Sequence, residues 1–459
     1  MTISAPLSDA RTATTPGHGS MLLVGALIAA CFGLTLLFLY PGYLTNDATY
    51  VYSYVQDWHL GDWQSPLETL LWWLIDPIAP GSGSMFLLTV TLYWLGFGVI
   101  ALTVARRSLA LALVVPLLGL TPPAFIFLSM IWRDILFSVT WLVAAAIVYG
   151  TADRAAPLRR SVQLVAMVLI GCGLLLRPNA ITAAPFLIAY AIWPARFEWK
   201  RAALIFVPAV IAGYGLIHLT YYEILHVKRE NPLHSLLVFD LGGITYYTKQ
   251  NQFPVDWSPD EMALLTDRCY EPQHWDIYWT LDPCKFVMAR LERSDDVVFG
   301  TQRLDDAWIR AVTAHPLAYV AHRFTVLWTF LVPPNLTLQL YKMSLPDETP
   351  LARNPYFLAL LPLHDALKTT ILYRTGLWLL LGLAIAGWAW PARRTQSGAF
   401  AISIAAAAVV YLLTFGLLGV ATDFRYAHWG VVASLAGLVP ALLARREQRD
   451  RTGANAPSP

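Results

Sequence analysis

The strongest constraint in this sequence is a series of long apolar runs separated by short polar connections. A helix that crosses the hydrocarbon core of a bilayer needs about 20 mostly apolar residues. Runs of this kind predict ten membrane-spanning helices, over residues 20–40, 86–105, 109–129, 134–150, 161–177, 180–195, 202–222, 371–390, 398–420 and 427–444. Because the runs are continuous rather than alternating, they favour helices over strands. The sequence therefore predicts an all-α polytopic membrane protein.

The composition agrees with this fold class. Only 14% of the 459 residues are charged, whereas 57% are hydrophobic. A soluble domain carries about a quarter charged residues, so this chain cannot cover a water-facing surface. The net charge of +2 also argues against nucleic acid as a partner.

Lysine and arginine in the short loops predict the orientation of the spans. With ten spans, the clusters Arg106–Arg107, Arg159–Arg160, Lys200–Arg201, Arg393–Arg394 and Arg445–Arg446 all fall on one side. The positive-inside tendency makes that side cytoplasmic and puts both termini inside. The apolar segment 317–333 is interpreted as a buried or interfacial helix, since a further span there would move Arg393–Arg394 outside.

This threading predicts five regions along the chain. They are a disordered cytoplasmic tail (1–19), an N-terminal transmembrane module (20–222) with a first outer loop (41–85), an exoplasmic loop domain (223–370), C-terminal transmembrane helices (371–446) and a second disordered tail (447–459). Loops as long as the two outer segments usually carry function. Cys269 and Cys284 both lie in the exoplasmic loop domain, where an oxidising compartment allows a disulfide.

Asp47 is the first candidate for chemistry. It follows the first span almost immediately, in the segment Thr45-Asn46-Asp47, and is expected at the membrane surface. A carboxylate there can accept a proton from a hydroxyl group or bind a divalent cation. The alternative interpretation is a helix N-cap, a position that Asp and Asn both favour.

Three arginines are predicted at membrane depth on the outer side. They occur in Arg133-Asp134, in Arg177-Pro178-Asn179 and in Asp423-Phe424-Arg425-Tyr426. Charged groups near the hydrocarbon often mark a functional site, and a guanidinium fork matches phosphate oxygens. The alternative is snorkelling or local ion pairing, as in Arg133–Asp134 or Asp423–Arg425.

The exoplasmic loop domain also contains Trp275-Asp276-Ile277-Tyr278-Trp279. Aromatic side chains with an interspersed acid suit stacking on sugars and binding of their hydroxyl groups. They suit a packed cap over a membrane domain equally well. The sequence alone leaves both interpretations open.

Taken in order along the chain, these motifs resemble the GT-C superfamily of integral-membrane glycosyltransferases. That superfamily includes protein mannosyltransferases and lipid A aminoarabinose transferases. Asp47 matches its acidic residue in the first outer loop, and Asp134 matches a second acid in a later one. The segment Asp62-Trp63-Gln64-Ser65-Pro66-Leu67 keeps the frame of the Asp-Trp-His-Pro-Pro-Leu motif but replaces its His and one Pro. The Asp-Glu pair of the mannosyltransferases is absent, because Ala48 follows Asp47.

The resemblance implies a GT-C-like fold and an enzyme that transfers a hexosyl or pentosyl group from a polyprenyl-phosphate donor. The acceptor would be a glycan, lipid or protein. It implies Asp47 and Asp134 as catalytic residues, and the candidate substrate-binding residues are Arg133, Arg177, Asn179, Arg425 and Tyr426. No cofactor is required, although a divalent cation held by Asp47 is a candidate. The expected location is the bacterial cytoplasmic (inner) membrane, with the site facing the periplasm or exterior.

Two other functions fit the layout less well. A polymerase or ligase of lipid-linked glycans also uses outer arginines, but it explains the early Thr45-Asn46-Asp47 poorly. A lipid-sugar flippase or other transporter usually places polar residues near the middle of its spans. Here the acids concentrate in the outer loops.

Overall fold

The computed structural model describes residues 18–333 and 349–453, and every regular element in these ranges is helical. The N-terminal transmembrane module, including the first outer loop, contains α1 (His18–Leu39), α2 (Asn46–Asp57), α3 (Pro66–Ile75), α4 (Ser82–Ala105), α5 (Leu109–Gly119), α6 (Pro122–Phe125), α7 (Arg133–Thr151), α8 (Ala156–Leu176), α9 (Ala184–Ile192) and α10 (Trp199–His218). The loop domain contains α11 (Leu233–Thr248), α12 (Pro259–Asp267), α13 (Phe286–Leu291), α14 (Gln302–Ala314) and α15 (Pro316–Leu331). The C-terminal part contains α16 (Pro355–Leu367), α17 (Thr375–Ala389), α18 (Gln396–Leu418) and α19 (His428–Gly453).

Within these described ranges, eight helical segments are long and apolar enough to cross a membrane. They are His18–Leu39, Ser82–Ala105, Arg133–Thr151, Ala156–Leu176, Trp199–Ile224, Thr375–Ala392, Gln396–Leu418 and Phe424–Asp450. A ninth consists of Leu109–Gly119 and Pro122–Ser129, which meet at a bend of 56°. The prolines at 122 and 123 explain the bend, because each removes a backbone donor. The all-α polytopic membrane fold is therefore confirmed.

The predicted continuous span over 180–195 is wrong. Residues Pro178–Thr182 form a 3₁₀ turn, and α9 has only nine residues. The segment still returns along α8, since Gln163 near the start of α8 donates a hydrogen bond to the carbonyl of Ala191 at the end of α9 (2.6 Å). The chain therefore runs back along the bundle through a broken, shorter segment.

The ends of the chain also differ from the predicted boundaries. Helix α19 continues to Gly453, so residues 447–453 of the predicted disordered tail are helical. Residues 18–19 of the predicted N-terminal tail belong to α1, and the remaining parts of the two predicted tails, 1–17 and 454–459, lie outside the described residues. Helix α15 has 16 residues and is shorter than the segments that qualify as spans, in agreement with the interpretation of 317–333.

The basic loops meet at one end of the bundle. Arg107 contacts Glu447 of α19 (3.2 Å), and Arg106 contacts Asp153 in the loop before α8 (3.5 Å). The backbone N–H of Phe197 donates to the carbonyl of Arg393 (2.7 Å). The loops that predict the cytoplasmic side are thus neighbours in space.

The loop domain has its own apolar core, built from α11 to α15. Cys269 and Cys284 form a disulfide within it, with their Cα atoms 5.4 Å apart. Arg323 attaches this domain to the bundle, because its Nη1 donates to the carbonyl of Gly419 just after α18 (2.7 Å). The domain therefore covers the end of the bundle opposite the basic loops.

Candidate functional site

A polar cavity lies at the end of the bundle beneath the loop domain. It forms where the first outer loop, the start of α7, the end of α8 and the start of the last span meet. Backbone hydrogen bonds between Tyr43 and the segment 129–131 hold the first loop against the start of α7. The cavity is lined by Asp47, Ala48, Val51, Gln64, Glu68, Ile131, Trp132, Arg133, Asp134, Arg177, Arg425 and Tyr426. Six of the seven predicted catalytic and substrate-binding residues thus line a single space.

Thr45, not Asp47, caps helix α2. The Thr45 hydroxyl accepts a hydrogen bond from the backbone N–H of Ala48 (3.2 Å) and another from Nε1 of Trp132 (2.8 Å). The N-cap interpretation of Asp47 is therefore wrong. Asp47 lies in the first turn of α2, where the helix dipole favours a negative charge.

Asp47 forms an ion pair with Arg425, which lies 378 residues away in the sequence. The distance from Oδ2 of Asp47 to Nη1 of Arg425 is 2.5 Å. The Asp47 side chain is 48% exposed, whereas that of Arg425 is 16% exposed. Burial alone raises the pKa of the Asp47 carboxyl, but Arg425, with Arg133 and Arg177 further away, outweighs this effect and lowers it. Asp47 is therefore ionised at neutral pH and accessible from the cavity.

Arg425 has several further contacts that fix its guanidinium. Its Nε lies 3.4 Å from Oδ2 of Asp423, and its Nη2 donates to the hydroxyl of Tyr426 (3.1 Å). The guanidinium also lies over the ring of Trp132, 4.8 Å from the ring centre. A cation held between an acid and aromatic faces keeps its orientation when a ligand arrives.

Asp134 pairs with Arg177 rather than with its neighbour Arg133. Oδ1 of Asp134 lies 2.7 Å from Nε of Arg177, and both side chains are buried. The contact is a close ion pair without an aligned hydrogen bond between these two atoms. The guanidinium of Arg177 also lies over the ring of Tyr426 (4.7 Å). Asp134 therefore neutralises a buried arginine in the cavity wall.

Arg133 differs from the other two arginines. Its Nη1 donates to the backbone carbonyl of Trp63 (3.1 Å). Within the described part of the chain, none of the ion pairs involves Arg133. Its positive charge is therefore the least neutralised of the three in the cavity.

Glu68 also lines the cavity, although it was not among the predicted catalytic and substrate-binding residues. It lies in the first turn of α3, whose N-cap Ser65 accepts a hydrogen bond from the Glu68 backbone N–H (3.3 Å). The side chain is buried, and burial raises the pKa of its carboxyl to about 8. The available signal was a single acid in an otherwise apolar helix. Gln64, which replaces the motif's His, also lines the cavity.

The two remaining predictions concern Asn179 and a divalent cation. Asn179 does not line the cavity, and its Oδ1 is buried without a hydrogen-bond partner in the described ranges. For a divalent cation, residues 18–333 and 349–453 contain no group of three His, Cys, Asp or Glu side chains arranged to hold a metal. The close partner of Asp47 is the guanidinium of Arg425.

Comparisons with known proteins add a distant structural likeness. No family model and no curated protein matches the chain. Two similar structures are the oligosaccharyltransferase AglB from Archaeoglobus fulgidus in complex with an inhibitory peptide and a dolichol-phosphate (13% identity, TM-score 0.40) and an oligosaccharyltransferase from the same organism in the apo form (14%, 0.39). They align with 95% and 94% of this chain, which spans 52% of each of them. At these scores the likeness carries no conclusion about function, which is inferred from the geometry of the site alone.

Proposed function

We propose that this chain is a membrane glycosyltransferase that moves a hexosyl or pentosyl group from a polyprenyl-phosphate donor to a glycan, lipid or protein acceptor. One observation carries the proposal. A half-exposed, ionised carboxylate (Asp47) shares one cavity at the end of a membrane bundle with Arg133, which forms no ion pair within residues 18–333 and 349–453. The reaction requires a proton acceptor and a cation that binds an anion. Asp47 and Arg133 would fill these two roles.

The arginines bind the donor phosphate in this proposal. Among the described residues, no carboxylate forms an ion pair with Arg133, and Arg425 is oriented by Trp132 and Tyr426. Guanidinium–phosphate contacts are charge-assisted and geometrically specific. Arg177, tied to Asp134, adds positive potential from the cavity wall. The prenyl chain would remain in the bilayer, since the cavity lies at the ends of the spans.

The transfer step is a displacement at the anomeric carbon. A bond forms between the acceptor oxygen and this carbon while the bond from the carbon to the phosphate oxygen breaks. The acceptor proton moves to the Asp47 carboxylate, and the departing polyprenyl phosphate carries the negative charge that the arginines stabilise. A single displacement inverts the anomeric configuration.

The proposed orientation places this site at the outer face of the bacterial cytoplasmic membrane. The basic loops gather at the opposite end of the bundle, around Arg107 and Glu447. The positive-inside tendency makes that end cytoplasmic. The disulfide between Cys269 and Cys284 also suits an oxidising exterior.

The test uses the purified full chain in detergent. Undecaprenyl-phosphate glucose, mannose and arabinose are supplied with a lysate glycan fraction as acceptor, and release of undecaprenyl phosphate is measured. We expect turnover with at least one donor. We expect Asp47→Asn to retain donor binding and to lose about 10²–10⁴-fold in rate, the range for removal of a general base.

Asp57→Asn is the matched control, because Asp57 is an exposed acid at the other end of α2. It should keep wild-type turnover. The Thr45 cap is unchanged in both variants, so folding of α2 is preserved. Near-normal turnover by Asp47→Asn would remove Asp47 from catalysis, and absence of turnover by the wild type with all three donors would contradict the transferase proposal.

A further inference from the structure

The segment Trp275–Trp279 of the loop domain presents two different faces. Trp275, Ile277 and Tyr278 are buried in the domain core. Asp276 and Trp279 are exposed, and the Trp279 side chain is 47% exposed. Packing thus accounts for the first three residues but not for the other two. The interpretation as a packed cap therefore explains only one face of the motif.

This segment lies directly beside the candidate active site. The backbone N–H of Trp275 donates to the carbonyl of Val420 (2.9 Å), and that of Thr422 donates to the carbonyl of Gln273 (2.8 Å). Residues 420–422 lead into Asp423 and Arg425 of the site. The segment is therefore held against the loop that supplies the partner of Asp47.

A third tryptophan joins this segment from the first outer loop. The ring of Trp63 lies 5.9 Å from that of Trp275 and 6.5 Å from that of Trp279, at 26° to the latter. The carbonyl of Trp63 accepts the hydrogen bond from Arg133, and the next residue, Gln64, lines the cavity. Aromatic rings from two separate loops thus form one surface at the edge of the cavity.

Polar groups lie in this segment and in the two residues before it. Oε1 of Gln273 and Nδ1 of His274 are buried without a hydrogen-bond partner among the described residues. Such groups are costly unless a ligand or water satisfies them. Partial burial raises the pKa of the Asp276 carboxyl. The nearby His274 lowers this pKa, whereas the negative charge of Asp47 raises it further. Asp276 is thus close enough to Asp47 to sense its charge.

We propose that Trp63, Trp279 and Asp276 form a binding site for a sugar ring of a carbohydrate acceptor. One face of a sugar ring consists of C–H groups and packs on an indole, while its hydroxyl groups bind carboxylates and imidazoles. A ring bound there lies at the edge of the cavity that contains Asp47, the carboxylate proposed to take its proton. The assignment rests on the proposed transferase activity and selects a glycan from the acceptor classes.

The first experiment measures binding without catalysis. The purified full chain in detergent is titrated calorimetrically with mannotetraose, an arabinan tetrasaccharide and a galactan tetrasaccharide, and with a Ser/Thr-rich hexapeptide. We expect at least one oligosaccharide to bind, and Trp279→Ala to weaken its Kd about ten- to thirtyfold, as for truncation of a central tryptophan. Trp279→Phe should lose less, since it keeps an aromatic face. Binding of none of the oligosaccharides, or of the peptide alone, would overturn the proposal.

Trp199→Ala is the matched control, because Trp199 is also exposed but lies at the basic end of the bundle. It should bind the oligosaccharide as the wild type does. The kinetic experiment then separates the two proposals. Trp279→Ala and Asp276→Asn should raise the acceptor KM about tenfold while the donor KM stays unchanged. An unchanged acceptor KM in an active enzyme overturns the acceptor site alone, whereas a wild type that turns over no donor contradicts the transferase proposal.

Discussion

At the residue scale, the charges of the cavity favour a phosphate. Besides Glu68, its lining holds three arginines and two side chains with a formal negative charge, Asp47 and Asp134. Glu68 adds no negative charge at neutral pH, since its pKa is raised to about 8. The lining therefore has a net charge of about +1, and a bound phosphate group would be attracted by it.

We expect Arg133 to contribute most to donor affinity, because no carboxylate in the described ranges pairs with it. Arg133→Ala should weaken binding of undecaprenyl phosphate by about ten- to a hundredfold, the usual value for a hydrogen bond to a charged group. Arg133→Lys should recover only part of this loss, since it keeps the charge but not the fork. Arg310, an exposed residue of α14, supplies the control variant Arg310→Ala. Equal affinity of Arg133→Ala and Arg310→Ala for undecaprenyl phosphate would exclude Arg133 from the phosphate site.

Glu68 should make stability depend on pH. Its pKa is higher in the folded protein than the ordinary value of about 4.3, so the folded state retains a proton that the unfolded state releases. This contribution is complete below about pH 4 and is lost as pH rises towards 8. We expect Glu68→Gln to melt a few degrees above the wild type at pH 8, with a smaller difference at pH 5. A constant difference between the two melting curves across this range would contradict the raised pKa.

The sequence predicted Asp47, Arg177 and Arg425 because charges near long apolar runs are rare and conspicuous. It could not predict their partners, since Asp47 and Arg425 are 378 residues apart. The local pairing Arg133–Asp134 was the obvious sequence-based alternative, yet Asp134 contacts Arg177 instead. Glu68 was not among the predicted site residues, since the sequence does not show that folding buries this acid in the cavity wall.

At the element scale, a buried ionic cluster joins α11 to α15 in the loop domain. Oδ1 of Asp240 lies 3.2 Å from Nε2 of His322 and 2.5 Å from Nη2 of Arg323, and its Oδ2 accepts from Nε1 of Trp308 (2.7 Å). Gly243 allows this approach, because a Cβ there would lie 2.3 Å from Nδ1 of His322. Since Arg323 also bonds the carbonyl of Gly419, the cluster helps to fix the loop domain on the bundle.

Removing the acid of this cluster should destabilise the loop domain strongly. Asp240→Ala leaves the buried guanidinium of Arg323 uncompensated, and we expect a loss of about 3–5 kcal/mol in the free energy of unfolding. Asp306→Ala, at an exposed acid of α14, should change it by less than about 0.5 kcal/mol. Thermal unfolding of both variants in detergent provides the measurement. Equal melting temperatures would show that the cluster does not hold the domain.

Hydropathy predicts helices only where apolar runs and helix length coincide. This holds for α4, α7 and α18, whose ends lie within about four residues of the predicted limits. It fails for 180–195, because average hydropathy does not register Pro178 and Pro185, which shorten the helical part to α9. The apolar character is nevertheless explained, since this broken segment packs between α10 and α18.

At the scale of the whole molecule, the threading depends on this broken segment. The hydrogen bond between Gln163 and Ala191 returns the chain to the basic end before α10 begins. By length and hydropathy, eight of the described helices qualify as spans, or nine with the bent pair. If the broken segment also crosses the membrane, the chain has ten passes, as predicted. If it does not cross, every later loop changes sides, and Arg393–Arg394 would lie outside.

Reporter fusions in the intact cell decide between these two topologies. Fusions after residues 107, 160, 201 and 394 should report a cytoplasmic location, and fusions after 60, 178, 260 and 350 an external one. The pair at 178 and 201 is the decisive one, because only the broken segment and the short loop after it separate these positions. The same side for both would show that the segment is re-entrant. A cytoplasmic signal at 350, with 260 external, would instead make α15 a crossing helix. In either case the basic loops would no longer share one side, and the proposed orientation of the Asp47 cavity would lose its electrostatic support.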